Sequence, residues 1–158
     1  MHGKTHLAVG AATGVALATL HYGTADIKEI GVAAGVAGLA GLVPDWLQIN
    51  LPGISKNIKG MTGHRGFSHW VLTAGAVAFA VFTLLPARPE YLPPWYALVL
   101  AGWLSHVFLD VLAGGAPALW PIAGRVTIAK IKTGGKYDRA FGGAALVIMA
   151  MLLIEVYL

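Results

Sequence analysis

Cysteine is absent from this 158-residue sequence, and charged residues make up only 11% of it. Without thiols the chain can form neither disulfides nor thiolate metal sites, which leaves histidine, aspartate and glutamate as metal ligands. Soluble domains carry roughly a quarter charged residues, whereas hydrophobic residues here reach 57%. The composition therefore excludes an ordinary soluble domain and predicts an integral membrane protein.

Long apolar runs indicate the architecture. A helix needs about 20 mostly apolar residues to span a bilayer, and five stretches qualify: Thr5–Tyr22, Ile27–Ile49, Ser68–Leu85, Pro94–Leu112 and Phe141–Tyr157. We therefore predict an all-α integral membrane protein, one domain over residues 1–158 built as a bundle of about five transmembrane helices. The first run loosely fits a signal peptide, but we expect it to remain as the first helix.

Glycines spaced four residues apart occur in the first two predicted helices. Such spacing lets membrane helices pack closely, so these residues predict a tight bundle and no particular chemistry. The residues concerned are Gly10, Gly14, Gly31 and Gly35, with Gly38 and Gly41 extending the second set.

Basic residues predict the orientation, because cytoplasmic loops are enriched in Lys and Arg. Nine basic residues fall on the side of the N-terminus and two on the other side. The N-terminus should therefore be cytoplasmic and the C-terminus outside. The basic stretch Arg125–Lys132 is either a plain topological anchor or a segment that lies against the anionic inner leaflet.

The densest polar stretch is Gly63–Trp70, which holds His64, Arg65, Ser68 and His69. Two histidines five residues apart do not share a helix face. They can converge if His64 lies on a loop and His69 opens a helix, with Ser68 near the N-cap. Ser68 as a nucleophile would need a base beside it, so helix capping is the favoured role.

Further polar groups fall on the same side of the membrane in this topology. His106 and Asp110 are four residues apart on one helix face, a spacing that suits two ligands of one ion or of two neighbouring ions. We predict a shared site for one or two divalent ions, with Zn²⁺ preferred over Mn²⁺ or Fe²⁺. The alternatives are packing histidines, a helix-capping Asp45 and a hydrogen-bonded His106–Asp110 pair. The predicted ligands are His6, Asp45, His64, His69, His106 and Asp110.

The order of these motifs resembles the YdjM-like family of bacterial and archaeal inner-membrane proteins, which are regarded as metal-dependent hydrolases. The resemblance implies a metal site on the six residues just named, with Asp138 in the place of an acidic residue before the last helix. The His-x-x-x-Asp spacing is also similar to that of zinc-dependent phospholipases C, which implies phosphoester substrates. The motifs are Thr5-His6, Leu42–Asp45, Gly63–His69, Ser105–Asp110, Gly114-Gly115 and Leu119–Pro121.

The expected chemistry is hydrolysis by water that a metal activates, with Asp45 or Asp110 as proton acceptor. Arg65 is either a phosphate or carboxylate ligand or a topological residue. Membrane lipids surround the chain, and a lipid-like phosphorylated substrate is expected at the cytoplasmic face. The rival functions are a metal or proton transporter and a scaffold with a structural metal or haem. Nucleic-acid binding is not expected, and the oligomeric state stays open.

Overall fold

The computed structural model describes residues 1–23, 26–49, 65–85, 93–119 and 122–158, with the side chains at positions 48 and 49 excepted. A π-helical turn, Leu17–His21, extends the first helix, and a 3₁₀ turn, Phe67–His69, precedes the fourth. The predicted all-α class is confirmed for these residues. The helices are α1 Gly3–Ala16, α2 Ile27–Ala40, α3 Val43–Ile49, α4 Val71–Leu84, α5 Trp95–Ala113 and α6 Lys136–Tyr157.

Three helical segments among the described residues are long and apolar enough to cross a membrane. Helices α2 and α3 together contribute one of them, and α5 and α6 contribute the others. Helix α4 is apolar but shorter, and α1 with its π-helical turn does not meet the same criterion. Three of the five predicted spans are therefore supported by length and composition. The segments are Ile27–Leu47, Trp95–Ala113 and Lys136–Tyr157.

Helix boundaries differ from the prediction at three places. The second predicted helix breaks after Ala40, and a new helix starts with Pro44 in its first turn, where a residue without an amide hydrogen is tolerated. The third helix is capped by Trp70, so the prediction of Ser68 near its N-cap was wrong. The last helix begins at Lys136 rather than at Phe141.

Helix α1 lies against α2, α5 and α6, and α4 packs on α5. One apolar cluster joins the end of α1 to the beginnings of α2 and α5 through Val15, Ile30 and Leu98. A second cluster forms around Trp103 and Val107 in the C-terminal half of α5. The buried polar groups lie near the beginning of α1, at the opposite end of this helix from the first cluster. They are next to the second cluster, around Trp103.

Close helix packing depends on some of the glycines but not on all of them. A Cβ added to Gly10 would lie 2.7 Å from the carbonyl oxygen of Ala37, and one added to Gly102 would collide with that same oxygen. Added Cβ atoms on Gly31 and Gly35 would meet nothing within 4 Å. The packing role predicted for Gly31 and Gly35 is therefore wrong within the described part of the chain.

Candidate metal centre

Helix α5 supplies the first two groups of the site. His106 and Asp110 are 0% and 1% exposed, and their i, i+4 spacing places both on the face that points into the bundle. Nε2 of His106 lies 3.7 Å from Oδ2 of Asp110. A buried ionisable group in a membrane protein is costly unless it has partners, so the surroundings of this pair indicate its role.

The orientation of His106 is fixed by the turn between α2 and α3. Its Nδ1 lies 2.7 Å from the carbonyl oxygen of Gly41. A carbonyl oxygen can only accept a hydrogen bond, so Nδ1 must carry the proton and donate it. In the neutral ring Nε2 then has a free lone pair, which points into the site. Histidine ligands of metals are typically oriented by such a bond.

His69 reaches the same point from the 3₁₀ turn that precedes α4. Its Nε2 lies 3.0 Å from Nε2 of His106 and 3.1 Å from Oδ2 of Asp110. Its Nδ1 lies 3.1 Å from the hydroxyl oxygen of Ser68. The indole nitrogen of Trp103 donates to the carbonyl oxygen of Ser68 at 2.8 Å and so ties this turn to α5. Nδ1 of His69 therefore faces Ser68, and Nε2 faces His106 and Asp110.

Asp45, in the first turn of α3, completes the group. Its Oδ1 lies 3.7 Å from Nε2 of His69 and 3.7 Å from Nε2 of His106. This oxygen is buried and has no hydrogen-bond partner among the described residues, although 31% of the side chain is exposed. Asp45 therefore occupies the edge of the site that is open to solvent.

These four side chains fit a divalent metal ion. One ligand atom from each lies within 4.8 Å of the others, and the separations given above run from 3.0 to 3.7 Å. Tetrahedral ligands with bonds of about 2.0–2.1 Å are about 3.3 Å from one another, which lies within this range. Imidazole and carboxylate donors suit Zn²⁺, Mn²⁺ and Fe²⁺ alike. The group is Asp45, His69, His106 and Asp110.

Asp110 is also held by cations at both oxygens of its carboxylate. Nε of Arg65 lies 2.8 Å from Oδ2, and Nη2 donates to Oδ1 at 3.1 Å. The ammonium group of Met1 is 2.8 Å from Oδ1. Such charge-assisted contacts offset the cost of burying a carboxylate and fix its orientation. Arg65 has a φ of 68°, an uncommon value for a residue other than glycine.

His6 of α1 stacks on His106 rather than joining the four-atom group. The ring centroids are 3.8 Å apart and the ring planes are inclined by 22°. Nε2 of His6 lies 3.5 Å from Oδ1 of Asp110. His6 is fully buried and belongs to the wall of the site.

The structure brings five of the six predicted ligands together, and Arg65 with them. His64 lies outside the described residues. Sequence reasoning missed the carbonyl of Gly41, which orients His106, and the indole of Trp103, which holds the turn that carries His69. Trp103 precedes His106 by three residues and so shares its helix face, a signal that was available. The predicted ligands found together are His6, Asp45, His69, His106 and Asp110.

Asp138, in the first turn of α6, bonds to main-chain groups outside the four-atom group. Its Oδ2 accepts hydrogen bonds from the amides of His2 at 3.0 Å and Gly134 at 2.6 Å. Its carbonyl oxygen accepts from the hydroxyl of Thr5 at 3.4 Å. Asp138 is 1% exposed and fastens the beginning of α1 to the beginning of α6.

The part of the chain that the structure describes is thus all-helical, with candidate membrane-spanning helices and a buried His/Asp group of metal-binding geometry. The profile of a family described as YdjM inner membrane protein matches residues 1–158, and the chain belongs to this family. The "Inner membrane protein YdjM" of Escherichia coli (strain K12) is 38% identical over 89 residues. That of Shigella flexneri is equally similar. Each match covers 51% of this chain and 44% of the relative.

The aligned region spans less than half the length of these curated relatives. No solved structure matches the chain. The family and the three candidate spans place the protein in the inner membrane as a multi-pass protein.

Proposed function

We propose that this protein is a metal-dependent hydrolase that cleaves a phosphoester of a lipid or another amphiphile at the cytoplasmic face of the inner membrane. The observation that carries the proposal is the convergence of two imidazoles and two carboxylates on one point, with their ligand atoms within 4.8 Å of one another. Buried polar groups without partners are costly, and a bound cation would supply the partner that Oδ1 of Asp45 lacks.

In this proposal Asp45, His69, His106 and Asp110 hold one divalent ion, with Zn²⁺ preferred over Mn²⁺ or Fe²⁺. When bound, such an ion acts as a Lewis acid and lowers the pKa of water toward neutrality. The two histidines are oriented by Gly41 and Ser68, so neither needs to reorganise during a reaction. The four ligands are therefore compatible with a site that has its binding geometry before the metal arrives.

The two aspartates have different roles in this proposal. Asp110 is 2% exposed at its side chain and is fixed by Arg65, which makes it a ligand rather than a moving base. Asp45 is partly open to solvent, so it is the ligand that would give up its place on the ion and take a proton from the attacking water. The water oxygen forms the new bond to phosphorus, the bond from phosphorus to the ester oxygen breaks, and Asp45 passes its proton to that oxygen, which leaves as the alcohol. Arg65 acts as the positioning residue for Asp110.

We further propose that residues 1–158 form one domain and that α1 and α4 also lie within the membrane, which gives five spans with a cytoplasmic N-terminus. The support comes from the chemistry of the site. Residues assigned to one membrane face from the positions of Lys and Arg alone are the residues that gather around Asp110. Arg125 of the basic stretch also lies beside this group, since its Nε donates to the carbonyl oxygen that Arg65 contacts, and an anionic lipid headgroup would be attracted there.

The proposal is tested with the full chain in mild detergent by measuring metal content and hydrolysis of short-chain lipid phosphates. The variants are His106→Ala, with His21→Ala as control, and Asp45→Asn, with the exposed Asp26→Asn as control. We expect stoichiometric metal in the wild type, its loss in His106→Ala, and loss of hydrolysis in both site variants. The two controls should retain metal and activity. A folded wild type that binds no divalent metal would refute the proposal.

The same experiment separates the rival functions. Metal that is bound while no phosphoester is cleaved would favour a scaffold with a structural metal. Uptake of metal or protons into proteoliposomes, abolished by His106→Ala, would favour a transporter. Visible absorbance with a Soret band would favour haem.

A further inference from the structure

Two guanidinium groups meet at one backbone carbonyl beside the candidate metal centre. Nη1 of Arg65 donates to the carbonyl oxygen of Gly115 at 3.0 Å, and Nε of Arg125 donates to the same oxygen at 3.1 Å. The two donor nitrogens are therefore no more than about 6 Å apart. Two cations at this separation repel each other, and an anion bound between them would convert that repulsion into attraction.

The backbone places Arg125 in this position. The amides of Ala116 and Val126 each donate to the other residue's carbonyl oxygen, at 3.0 and 2.9 Å, in an isolated antiparallel bridge. Gly115 has a φ of 88°, and a Cβ added to it would collide with the hydroxyl oxygen of Thr127. The segment that carries Arg125 is thus held tightly against the turn that follows α5. The backbone bridge next to Arg125 therefore positions its guanidinium group.

The charges of the two arginines are not equally satisfied. Arg65 is paired with Asp110 through two nitrogens. No carboxylate lies within 4.0 Å of Arg125 among the residues that the structure describes, and Glu90 is the one acidic residue of the chain outside them. The side chain of Arg125 is exposed. Arg125 uses its Nε to bond Gly115, and the N–H groups on its two Nη atoms can donate hydrogen bonds to a bound ligand.

We propose that Arg65 and Arg125 together bind the phosphate group of the substrate, and that the substrate is a phosphomonoester rather than a phosphodiester. This inference rests on the proposed function, since the guanidinium of Arg65 bridges Gly115 and the metal-binding carboxylate of Asp110. Two aspartates, two arginines, the Met1 ammonium group beside Asp110 and one divalent ion leave a net charge of about +3. A dianionic phosphomonoester leaves about one of these positive charges without a partner, whereas a phosphodiester, with one negative charge, leaves two.

The test is calorimetric titration of the full chain in mild detergent with inorganic phosphate and with two short-chain lipids, a phosphatidic acid and a phosphatidylglycerol. Arg125→Gln is compared with Lys130→Gln, which removes the same charge from an exposed residue of the same segment. We expect Arg125→Gln to weaken phosphate binding about tenfold or more and Lys130→Gln to change it by less than about twofold. Arg125→Lys should fall between them, because lysine lacks the planar fork.

The lipid titrations identify the source of the phosphate. Phosphatidic acid that binds more tightly than inorganic phosphate, with the same loss in Arg125→Gln, supports a lipid phosphomonoester. Equal affinities support recognition of the phosphate group alone. Tighter binding of phosphatidylglycerol than of phosphatidic acid would overturn the proposal that the substrate is a phosphomonoester.

Three results would overturn the anion site itself: no phosphate binding by the wild type, unchanged binding by folded Arg125→Gln, or an equal loss in Lys130→Gln. Metal content, measured on the same samples, separates this inference from the proposed function. Arg125→Gln should keep its metal. If the wild type binds phosphate but no metal, the anion site is supported and the metal-dependent hydrolase is refuted.

Discussion

The Nε2 atoms of His69 and His106 lie 3.0 Å apart, although the residues are 37 positions apart in the chain. Because Nδ1 of His106 donates to Gly41, Nε2 of the neutral His106 ring can only accept a hydrogen bond or bind a cation. Nε2 of His69 can point either an N–H group or a second lone pair toward Nε2 of His106. Nδ1 of His69 faces the hydroxyl of Ser68, which can accept an N–H from this nitrogen or donate to its lone pair. When the hydroxyl accepts, Nε2 of His69 presents its lone pair, and the two lone pairs converge.

Replacing Ser68 by alanine should weaken metal binding. With metal bound, Nδ1–H of His69 donates to the Ser68 hydroxyl, and loss of such an outer partner costs about 10–100-fold in affinity. Equilibrium dialysis against buffered Zn²⁺ measures the change. Ser105→Ala is the matched control, because the hydroxyl of Ser105 donates to the carbonyl of Gly102 rather than to the ring of a ligand. Equal affinity of Ser68→Ala and the wild type would contradict this role.

The sequence predicted the parts of the site that local geometry determines. His106 and Asp110 were paired correctly because the helical repeat fixes residues four apart on one face. Asp45 and His69 were grouped with them because the positions of basic residues predicted a common membrane side.

Other parts depended on contacts that no local pattern contains. Ser68 was assigned as a cap, but it pairs with its neighbour His69 because the helix begins after Trp70. The stacking of His6 on His106 depends on how closely α1 approaches α5, which spacing along the chain does not determine. The left-handed backbone of Arg65 depends likewise on its contacts with Asp110 and Gly115.

His6→Phe should keep one equivalent of bound metal. The aromatic ring preserves the stack on His106, and Oδ1 of Asp110, the oxygen near His6, is already engaged by Arg65. We expect the affinity to fall by less than about tenfold, at the low end of the effect of outer residues. His106→Phe, the same substitution at a ligand, should abolish stoichiometric binding. Metal analysis that finds two ions in the wild type and one in His6→Phe would instead make His6 a ligand of a second ion.

Gly102→Ala should destabilise the helix bundle. The added Cβ would collide with the carbonyl oxygen of Ala37, so α2 and α5 would have to separate, at a cost of about 1–3 kcal/mol or more. Gly35→Ala is the control, since its Cβ would meet nothing within 4 Å. It should instead gain up to about 1 kcal/mol of helix propensity. Thermal unfolding in detergent should therefore move in opposite directions for the two variants, and similar shifts would rule out this contact.

Asp138→Ala should loosen the start of α1 while leaving the metal in place. Oδ2 of Asp138 accepts two main-chain N–H bonds, from His2 and Gly134. These bonds are partly buried and run to a carboxylate, and a hydrogen bond to a charged group contributes about 1.5–3 kcal/mol, whereas exposed Glu155→Ala on the same helix should stay within about 0.5 kcal/mol.

Hydrogen exchange distinguishes this fastening role from metal ligation. Faster exchange at the beginning of α1, with unchanged metal content, is the expected result for Asp138→Ala. Loss of metal from a variant that keeps wild-type exchange would make Asp138 a ligand. The first result is expected because both bonds of Oδ2 run to backbone amides and neither runs to the histidines.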